Sequence, residues 1–397
     1  MKRSRRVLVG VWFVALGLSF LLGMRGRSDR SAETSDAEGS RSSEGSDFSP
    51  TAALRLGDPV VSAQAFSHAI QRLENADEFK AVFDELLPDL EKLASHDALF
   101  LLADAWAAKA PEEAAAWLDA LDFNDSRNPY LFSALSQWSS SDPAAAMAWL
   151  QTHHGEAGPS RGYLVASLVR GSALRDPEFA LEVLLNAPDG PERVGSVEFL
   201  TRAWSNEGFE SALANLEKLP GAEDHLRKRA IQQLVTHADP EDLESVKSWA
   251  IGMTSEAERQ TAIAAFAARW SRKDPEEATE WADGLDDPAS RSIAYGEIAT
   301  RWARVDPLAA GEWLAPHAGD GEHDLAARAV AWSTVGIDPD TAFAQVDGIS
   351  NAGLREESFE QVARMWMSEN AQQAREYFEG DNPIPPAIRE RLLESYE

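Results

Sequence analysis

The chain has 397 residues, with 66 acidic against 37 basic side chains and a formal net charge of −29 at pH 7. A body this anionic repels nucleic acid phosphates and anionic lipid headgroups, which excludes both as ligands of the folded region. Cysteine is absent, so disulfides, cysteine-ligated zinc and thiol nucleophiles are excluded as well. Basic proteins, cationic polymers or divalent cations fit the charge better, although the solubility of an exported protein explains it equally well.

The amino-terminal residues predict a membrane anchor. Residues 1–6 form a basic tail, and residues 7–24 are an uncharged apolar run long enough for one transmembrane helix. The positive-inside rule then keeps the tail in the cytoplasm and places the remaining chain in the periplasm or outside the cell. A cleaved signal peptide opens in the same way, but its apolar core is shorter and a small-residue cleavage site follows it closely. We therefore expect an uncleaved signal anchor.

The next segment, residues 25–57, is rich in Ser, Gly and acidic side chains and has no apolar periodicity. Such a composition cannot bury a core, so it predicts a disordered linker. Apolar periodicity begins after it, and residues 58–397 form the predicted repeat domain. Its first helical pair, which lacks Trp, and a short last helix after residue 386 are the predicted end caps.

A Trp-x3-Asp-Pro motif recurs through the repeat domain. Its clearest copies carry Trp138, Trp270 and Trp302 five positions before a proline. Counted from this Trp position, nine copies begin at 106, 138, 172, 204, 235, 270, 302, 334 and 366. Apolar residues three, four and seven positions before the Trp form one stripe of a helix. Asp then caps, and Pro begins, a second helix, so each copy predicts a helical hairpin.

A second periodic feature is a small residue in the second helix. Alanine stands eight positions after the Trp position in eight of the nine copies, at Ala114, Ala146, Ala180, Ala212, Ala278, Ala310, Ala342 and Ala374. We expect these alanines to let the paired helices approach closely. The copies at 172, 204, 235 and 334 are degenerate, and in the last of them Trp332 stands two residues early. If this shifted residue is counted, Trp332 joins the periodic tryptophans.

The period and the alternation of small and large packing residues resemble the tetratricopeptide-like superfamily of helical repeats. The resemblance covers the repeat domain but is divergent, because here the Trp lies late in the first helix, before Asp-Pro. It implies an all-α fold, an α-solenoid of about nine 32-residue helical hairpins with end caps. It also implies a non-enzymatic scaffold that binds a protein or peptide partner, and the acidity favours a basic one. No ligand-binding position is carried over.

A rival interpretation is a polysaccharide-active (α/α) toroid enzyme, whose acidic catalytic residues would line a central cavity. The regular copies without long insertions favour the open solenoid. The chain also has 13 tryptophans, which could stack on sugar rings. Ten of the twelve beyond Trp12 fall on two repeat positions, so their periodicity predicts core packing instead.

Isolated motifs do not predict chemistry. Residues 158–162 match the G-x-S-x-G pattern of serine hydrolases but lie between two predicted hairpins, where no strand leads into a helix. The pairs His153/His154 and His317/His323 occupy equivalent loops, and we expect exposed histidines without function. Asp122, Asn124 and Ser126 imitate the start of a calcium loop but lack its later Gly and Glu. The sequence therefore predicts no catalytic residue, metal ligand or cofactor, and membrane contact only through the amino-terminal helix.

Overall fold

A computed structural model describes residues 49–55, 58–89, 93–121, 128–155, 160–221, 224–380, 382 and 384–394. In these residues the regular structure is entirely helical, without a β-strand. The α-helices are α1 (Pro50–Ala53), α2 (Pro59–Ile70), α3 (Ala76–Leu86), α4 (Leu93–Lys109), α5 (Pro111–Asp119), α6 (Pro129–Ser141), α7 (Pro143–His154), α8 (Arg161–Ser172), α9 (Pro177–Leu185), α10 (Pro191–Ser205), α11 (Phe209–Leu216), α12 (Asp224–His237), α13 (Leu243–Gly252), α14 (Glu256–Trp270), α15 (Pro275–Asp283), α16 (Pro288–Val305), α17 (Pro307–Leu314), α18 (Asp324–Thr334), α19 (Pro339–Asp347), α20 (Ala352–Glu369), α21 (Ala371–Glu379) and α22 (Pro386–Glu394). The all-α fold class is confirmed.

The predicted anchor at residues 7–24, most of the predicted linker and the calcium-like motif lie outside the described residues. Among the helices that are described, none combines the length and the apolarity that a membrane crossing requires. Helix α1 falls within the stretch predicted to be linker. Its residues Thr51 and Ala53 are buried, and the carbonyl of Ala53 accepts a hydrogen bond from Ser62 Oγ at 2.8 Å. The described fold therefore begins at Pro50, a few residues earlier than the sequence predicted.

The chain divides into two compact units, unit 1 up to Leu200 and unit 2 from Thr201. Within each unit, a first helix that ends near the Trp position alternates with a second helix, which follows an Asp-Pro turn in six of the nine copies. In unit 1 the first helices α4, α6 and α8 pack side by side, and each contacts its own second helix. In unit 2 the first helices α12, α14, α16, α18 and α20 also pack side by side, and those from α14 onward contact their own second helices. Each unit is thus built from successive helical hairpins.

The Asp-Pro turns work as predicted. The carboxylate of Asp142 accepts a hydrogen bond from the amide of Ala145 at 3.0 Å, and Pro143 occupies the first turn of α7. The same cap begins four other second helices, at Asp176, Asp274, Asp306 and Asp338. The degenerate copy at 235 differs, because Pro240 there opens a short 3₁₀-helix whose preceding Asp makes no side-chain cap.

The repeated alanines are the most buried feature of the second helices. All eight, from Ala114 to Ala374, have no exposed surface. Neighbouring first helices also approach closely, and at two places glycine makes this possible. A Cβ on Gly171 of α8 would lie 2.1 Å from the carbonyl oxygen of Ser136, and a Cβ on Gly296 of α16 would lie 2.9 Å from Leu325 Cβ. Small residues therefore set the spacing both within and between hairpins.

Eleven of the twelve tryptophans in the described residues are buried or partly buried, as the periodicity predicted. Trp332 is the exception, because 46% of it is exposed. Counting it with the core tryptophans was wrong for a geometric reason. It lies two residues from the repeat position, which turns it about 200° around the helix. Thr334, which occupies that position, is fully buried instead.

A series of arginines near the starts of first helices connects consecutive hairpins. The series consists of Arg161, Arg193, Arg227, Arg259, Arg291 and Arg355, which we call the linking arginines. Each donates to carbonyls near the end of the preceding second helix, as Arg291 Nη1 does to Leu285 O at 2.6 Å. The last carbonyls of a helix have no partner within it, and the helix dipole favours a cation there. These contacts stabilise the junction between one hairpin and the next.

Candidate partner-binding groove

Unit 2 contains a cavity of about 710 Å³ on the face of α16 and α18 that does not carry the buried stripe. We call it the groove. It is lined by Ile293, Gly296, Glu297, Thr300, Arg304, Leu325, Arg328, Ala329, Trp332, Ser333 and Gln361. The spacing of three or four residues along α16 and α18 gathers these side chains into one stripe on each helix. The opposite stripe of α16, which includes Ile298 and Ala299, is buried in the hairpin core.

Charged side chains in the groove are mostly basic. Arg304 and Arg328 line it, and Glu297 is its one carboxylate. Burial raises the pKa of Glu297, while Arg301 and Arg304 act in the opposite direction. The balance matches the helices around it. By sequence, the five first helices of unit 2 named above carry 11 basic and 9 acidic residues, whereas the second helices that follow them carry 2 basic and 10 acidic residues.

These residues suit binding better than hydrolysis. Trp and Arg are the residue types that most often dominate binding energy at protein interfaces, and both are present here with accessible surface. Glycosidases need two carboxyl groups on either side of the scissile bond. The described lining of the groove offers only Glu297. The groove can therefore hold an apolar side chain against Trp332 and a carboxylate against a guanidinium.

The hydrolase-like motif lacks the geometry of a nucleophile elbow. Ser160 immediately precedes α8, and no strand occurs in the described part of the chain. Gly158 and Pro159 lie outside the described residues. Of the upstream histidines, His153 is exposed and stacks on Trp149 with ring centroids 4.5 Å apart. His154 is partly buried, and its Nε2 lies 3.0 Å from Asp119 Oδ1.

The second histidine pair departs further from the expectation. His323 is only 6% exposed, so the interpretation of both residues as exposed loop histidines was wrong for it. The structure stacks its ring on that of His317 with centroids 4.0 Å apart, and it adds Asp320, which the sequence analysis did not single out.

Two sequence signals for these sites were missed. The first is the shift of Trp332 away from the repeat position, which indicates that the ring points away from the hairpin core. The second is the arginine series, whose spacing of 32 residues from Arg259 to Arg291 predicts another member at position 323. The residue there is His323, and Arg355 resumes the series 32 residues later. A break in a repeated structural role can mark a specialised position.

Comparison with protein-family models, curated protein sequences and solved structures finds no match to this chain. The resemblance to tetratricopeptide-like repeats therefore rests on the repeat period and on the small and large packing positions. What the structure shows is an all-helical protein of successive hairpins.

Proposed function

We propose that this chain is a membrane-tethered, exported scaffold without enzymatic activity, which binds a protein or peptide partner. In this proposal its hairpins form one tetratricopeptide-like α-solenoid, and the apolar run at residues 7–24 anchors it. The observation that carries the binding role is the groove, in which an exposed Trp332 shares one cavity with Arg304 and Arg328.

The size and chemistry of the groove define the segment it would bind. Ligand pockets commonly have volumes of about 300 to 1,000 Å³, so a cavity of about 710 Å³ accommodates a few side chains of a partner. An apolar or aromatic side chain would cover Trp332. A neighbouring carboxylate would pair with Arg304 or Arg328, and such charge-assisted hydrogen bonds are stronger than neutral ones. The groove would thus bind a short partner segment that contains acidic and aromatic residues.

At long range, the net charge of the chain favours a basic partner rather than an acidic one. A charge of −29 attracts basic proteins during diffusion, and this attraction mainly raises the association rate. Groove contacts form after the encounter and mainly determine the dissociation rate. The two effects are compatible if the partner is basic overall and carries one short acidic segment that binds the groove. Measuring the association and dissociation rate constants separately distinguishes the two effects.

A display library of random peptides, selected on the immobilised full-length chain, tests the groove. We expect enrichment of peptides with an aromatic or large apolar residue beside Asp or Glu. Trp332→Ala should weaken the binding of these peptides by about tenfold or more, mainly through faster dissociation. Surface plasmon resonance at two salt concentrations measures both rates.

Arg304 has a matched control in the preceding hairpin. Arg272 stands at the same repeat position, two residues after the Trp position, and is exposed without lining the groove. Arg304→Glu should abolish binding of the acidic peptides, whereas Arg272→Glu should leave their dissociation rate unchanged. Equal effects of the two variants, or full binding by Trp332→Ala, would contradict a role for the groove.

Chemical crosslinking in intact cells tests the wider proposal. Capture of a protein partner that depends on Trp332 supports the scaffold. Capture of polysaccharide alone, with no protein, would favour the toroid enzyme and overturn the proposal.

A further inference from the structure

A loop of unit 2 brings three potential metal ligands together. His317, Asp320 and His323 each offer one ligand atom, and these atoms lie within 4.8 Å of one another. His323 Nδ1 is 3.1 Å from Asp320 Oδ2. The loop turns at Gly319, whose φ of +83° is a left-handed conformation that glycine adopts without strain. In the described residues, no other group of three His, Asp or Glu side chains has this geometry.

One ligand takes a place that the repeat normally gives to a structural arginine. Arg259, Arg291 and Arg355 donate to carbonyls of the preceding hairpin. His323 is the residue of this series in the intervening hairpin, and its Nδ1 lies against Asp320 instead. Asp320 also accepts a hydrogen bond from the amide of Glu322 at 3.1 Å, which fixes the orientation of its carboxylate. With His323 at this position, the chain lacks the helix-end contact that these arginines make and has a potential metal ligand instead.

The surroundings hold the buried ligand in place while leaving an approach from solvent. The ring of His323 stacks on Tyr295 with centroids 4.3 Å apart, and its side chain is only 7% exposed. The side chain of Asp320 is 47% exposed, and His317 is partly exposed. Burial and the neighbouring His317 lower the pKa of His323, against the opposite effects of Asp320 and Glu322.

We propose that His317, Asp320 and His323 form a binding site for a divalent transition metal ion of the Zn²⁺ class. Two imidazole nitrogens and one carboxylate oxygen suit Zn²⁺, whereas Ca²⁺ and Mg²⁺ prefer oxygen ligands alone. Three protein ligands leave a fourth tetrahedral position for water or for a side chain of a partner. The ion would fix the loop that precedes α18, and α18 supplies Trp332 and Arg328 to the groove.

Binding requires a small rearrangement of the site. Ligand atoms around a tetrahedral Zn²⁺ lie about 3.3 Å apart, given bonds of about 2.0 to 2.1 Å. The ligand atoms lie within 4.8 Å of one another and therefore have to move closer together. The rings of His317 and His323 are stacked and inclined by only 15°, so they cannot both hold one ion in their planes. His317 is the more exposed of the two histidines, so its ring is the one that rotates.

Calorimetric titration of the tag-free, EDTA-treated full-length chain with ZnCl₂ tests the site. We expect one Zn²⁺ per chain. His317→Ala and Asp320→Asn should each weaken binding by about tenfold or more, since even supporting residues of metal sites contribute this much. These two variants carry the test because their side chains are more exposed than that of His323. Their melting curves without metal should match that of the unaltered chain.

The end of α7 in unit 1 provides a control. His153 there stands at the repeat position of His317, and the double variant His153→Ala/His154→Ala should bind Zn²⁺ as the unaltered chain does. Titration with CoCl₂ adds a direct readout, because His-ligated tetrahedral Co²⁺ gives intense visible absorption bands that His317→Ala should lose. The proposed site would be overturned if the unaltered chain bound no Zn²⁺ or if His317→Ala and Asp320→Asn both retained their binding. Loss of Zn²⁺ binding in the unit 1 control would overturn it as well.

Discussion

The outer faces of the first helices differ between unit 1 and unit 2, although the same repeat builds both cores. In unit 1 the rings of Phe132 and Tyr163 have centroids 4.7 Å apart, and the Arg170 guanidinium lies 5.7 Å from the centroid of Phe132 and 6.0 Å from that of Phe199. In unit 2 the corresponding face contains the groove. Aromatic and basic side chains thus pack against one another in unit 1 and surround open space in unit 2. The repeat determines the core and leaves the outer face free to specialise.

The largest expected effect contrasts a core tryptophan with the groove tryptophan. Trp138 of unit 1 is 6% exposed and contacts Trp149. Trp138→Ala should lower the free energy of unfolding by about 3 to 5 kcal/mol, because it leaves a large cavity. Trp332→Ala should change it by less than about 0.5 kcal/mol, as exposed positions do. Urea unfolding measures both, and a large loss at Trp332 would show that its ring supports the fold.

A smaller contrast concerns the two close-approach glycines. Gly171→Ala in unit 1 should destabilise by about 2 to 3 kcal/mol, because the new Cβ would overlap the carbonyl oxygen of Ser136, which belongs to rigid helical backbone. Gly296→Ala in unit 2 should cost about 1 kcal/mol or less. Its Cβ meets Leu325 at 2.9 Å, a milder overlap, and alanine favours a helix by about 1 kcal/mol over glycine. Thermal melts of the two variants test this order, and a reversed order would contradict it.

The smallest contrast is a pH dependence. Asp104 of unit 1 accepts a hydrogen bond from Ser133 Oγ at 2.5 Å, and burial raises its pKa, against the effects of Ser133 and Arg170. Burial likewise raises the pKa of Glu297 in unit 2, where two arginines oppose it. A carboxyl group with a raised folded-state pKa favours folding most below its ordinary pKa, and that contribution is lost as the pH rises through the folded-state pKa.

Asp104→Asn and Glu297→Gln should therefore gain stability relative to the unaltered chain as the pH rises from about 4 to about 7. We expect the same direction for both variants, because burial is the largest cause of the raised pKa in each case. Urea unfolding at several pH values gives the difference directly. A difference that stays constant across this range would show that neither carboxyl group has a raised pKa.

Much of the hairpin architecture could be predicted from the sequence, because its determinants are local. In five of the six copies that carry it, the Asp-Pro pair caps and begins a second helix, and alanine at one repeat position packs between two helices in eight of the nine copies. Both features therefore recur in step and are visible without a structure. The burial of Trp106, Trp204 and Trp366 follows from the same periodicity.

The groove and the histidine cluster could not be predicted in this way, because they consist of departures from the repeat. Trp332 lies off the repeat position, and His323 replaces a linking arginine. Each departure occurs once, so periodicity alone treats it as degeneration. Asp320 is one acidic residue among 66, and only the turn at Gly319 reveals that it faces two histidines. Searching a repeat for residues that break a structural series would have found His323.

Through the linking arginines, each hairpin receives hydrogen bonds from the hairpin that follows it in the chain. Every one of them belongs to the later hairpin and donates to carbonyls near the end of the earlier one, so a hairpin without its successor lacks these donors. A ribosome delivers the earlier hairpin first. Each newly made first helix then supplies the donor that its predecessor needs, and consolidation of the structure can follow the order of synthesis.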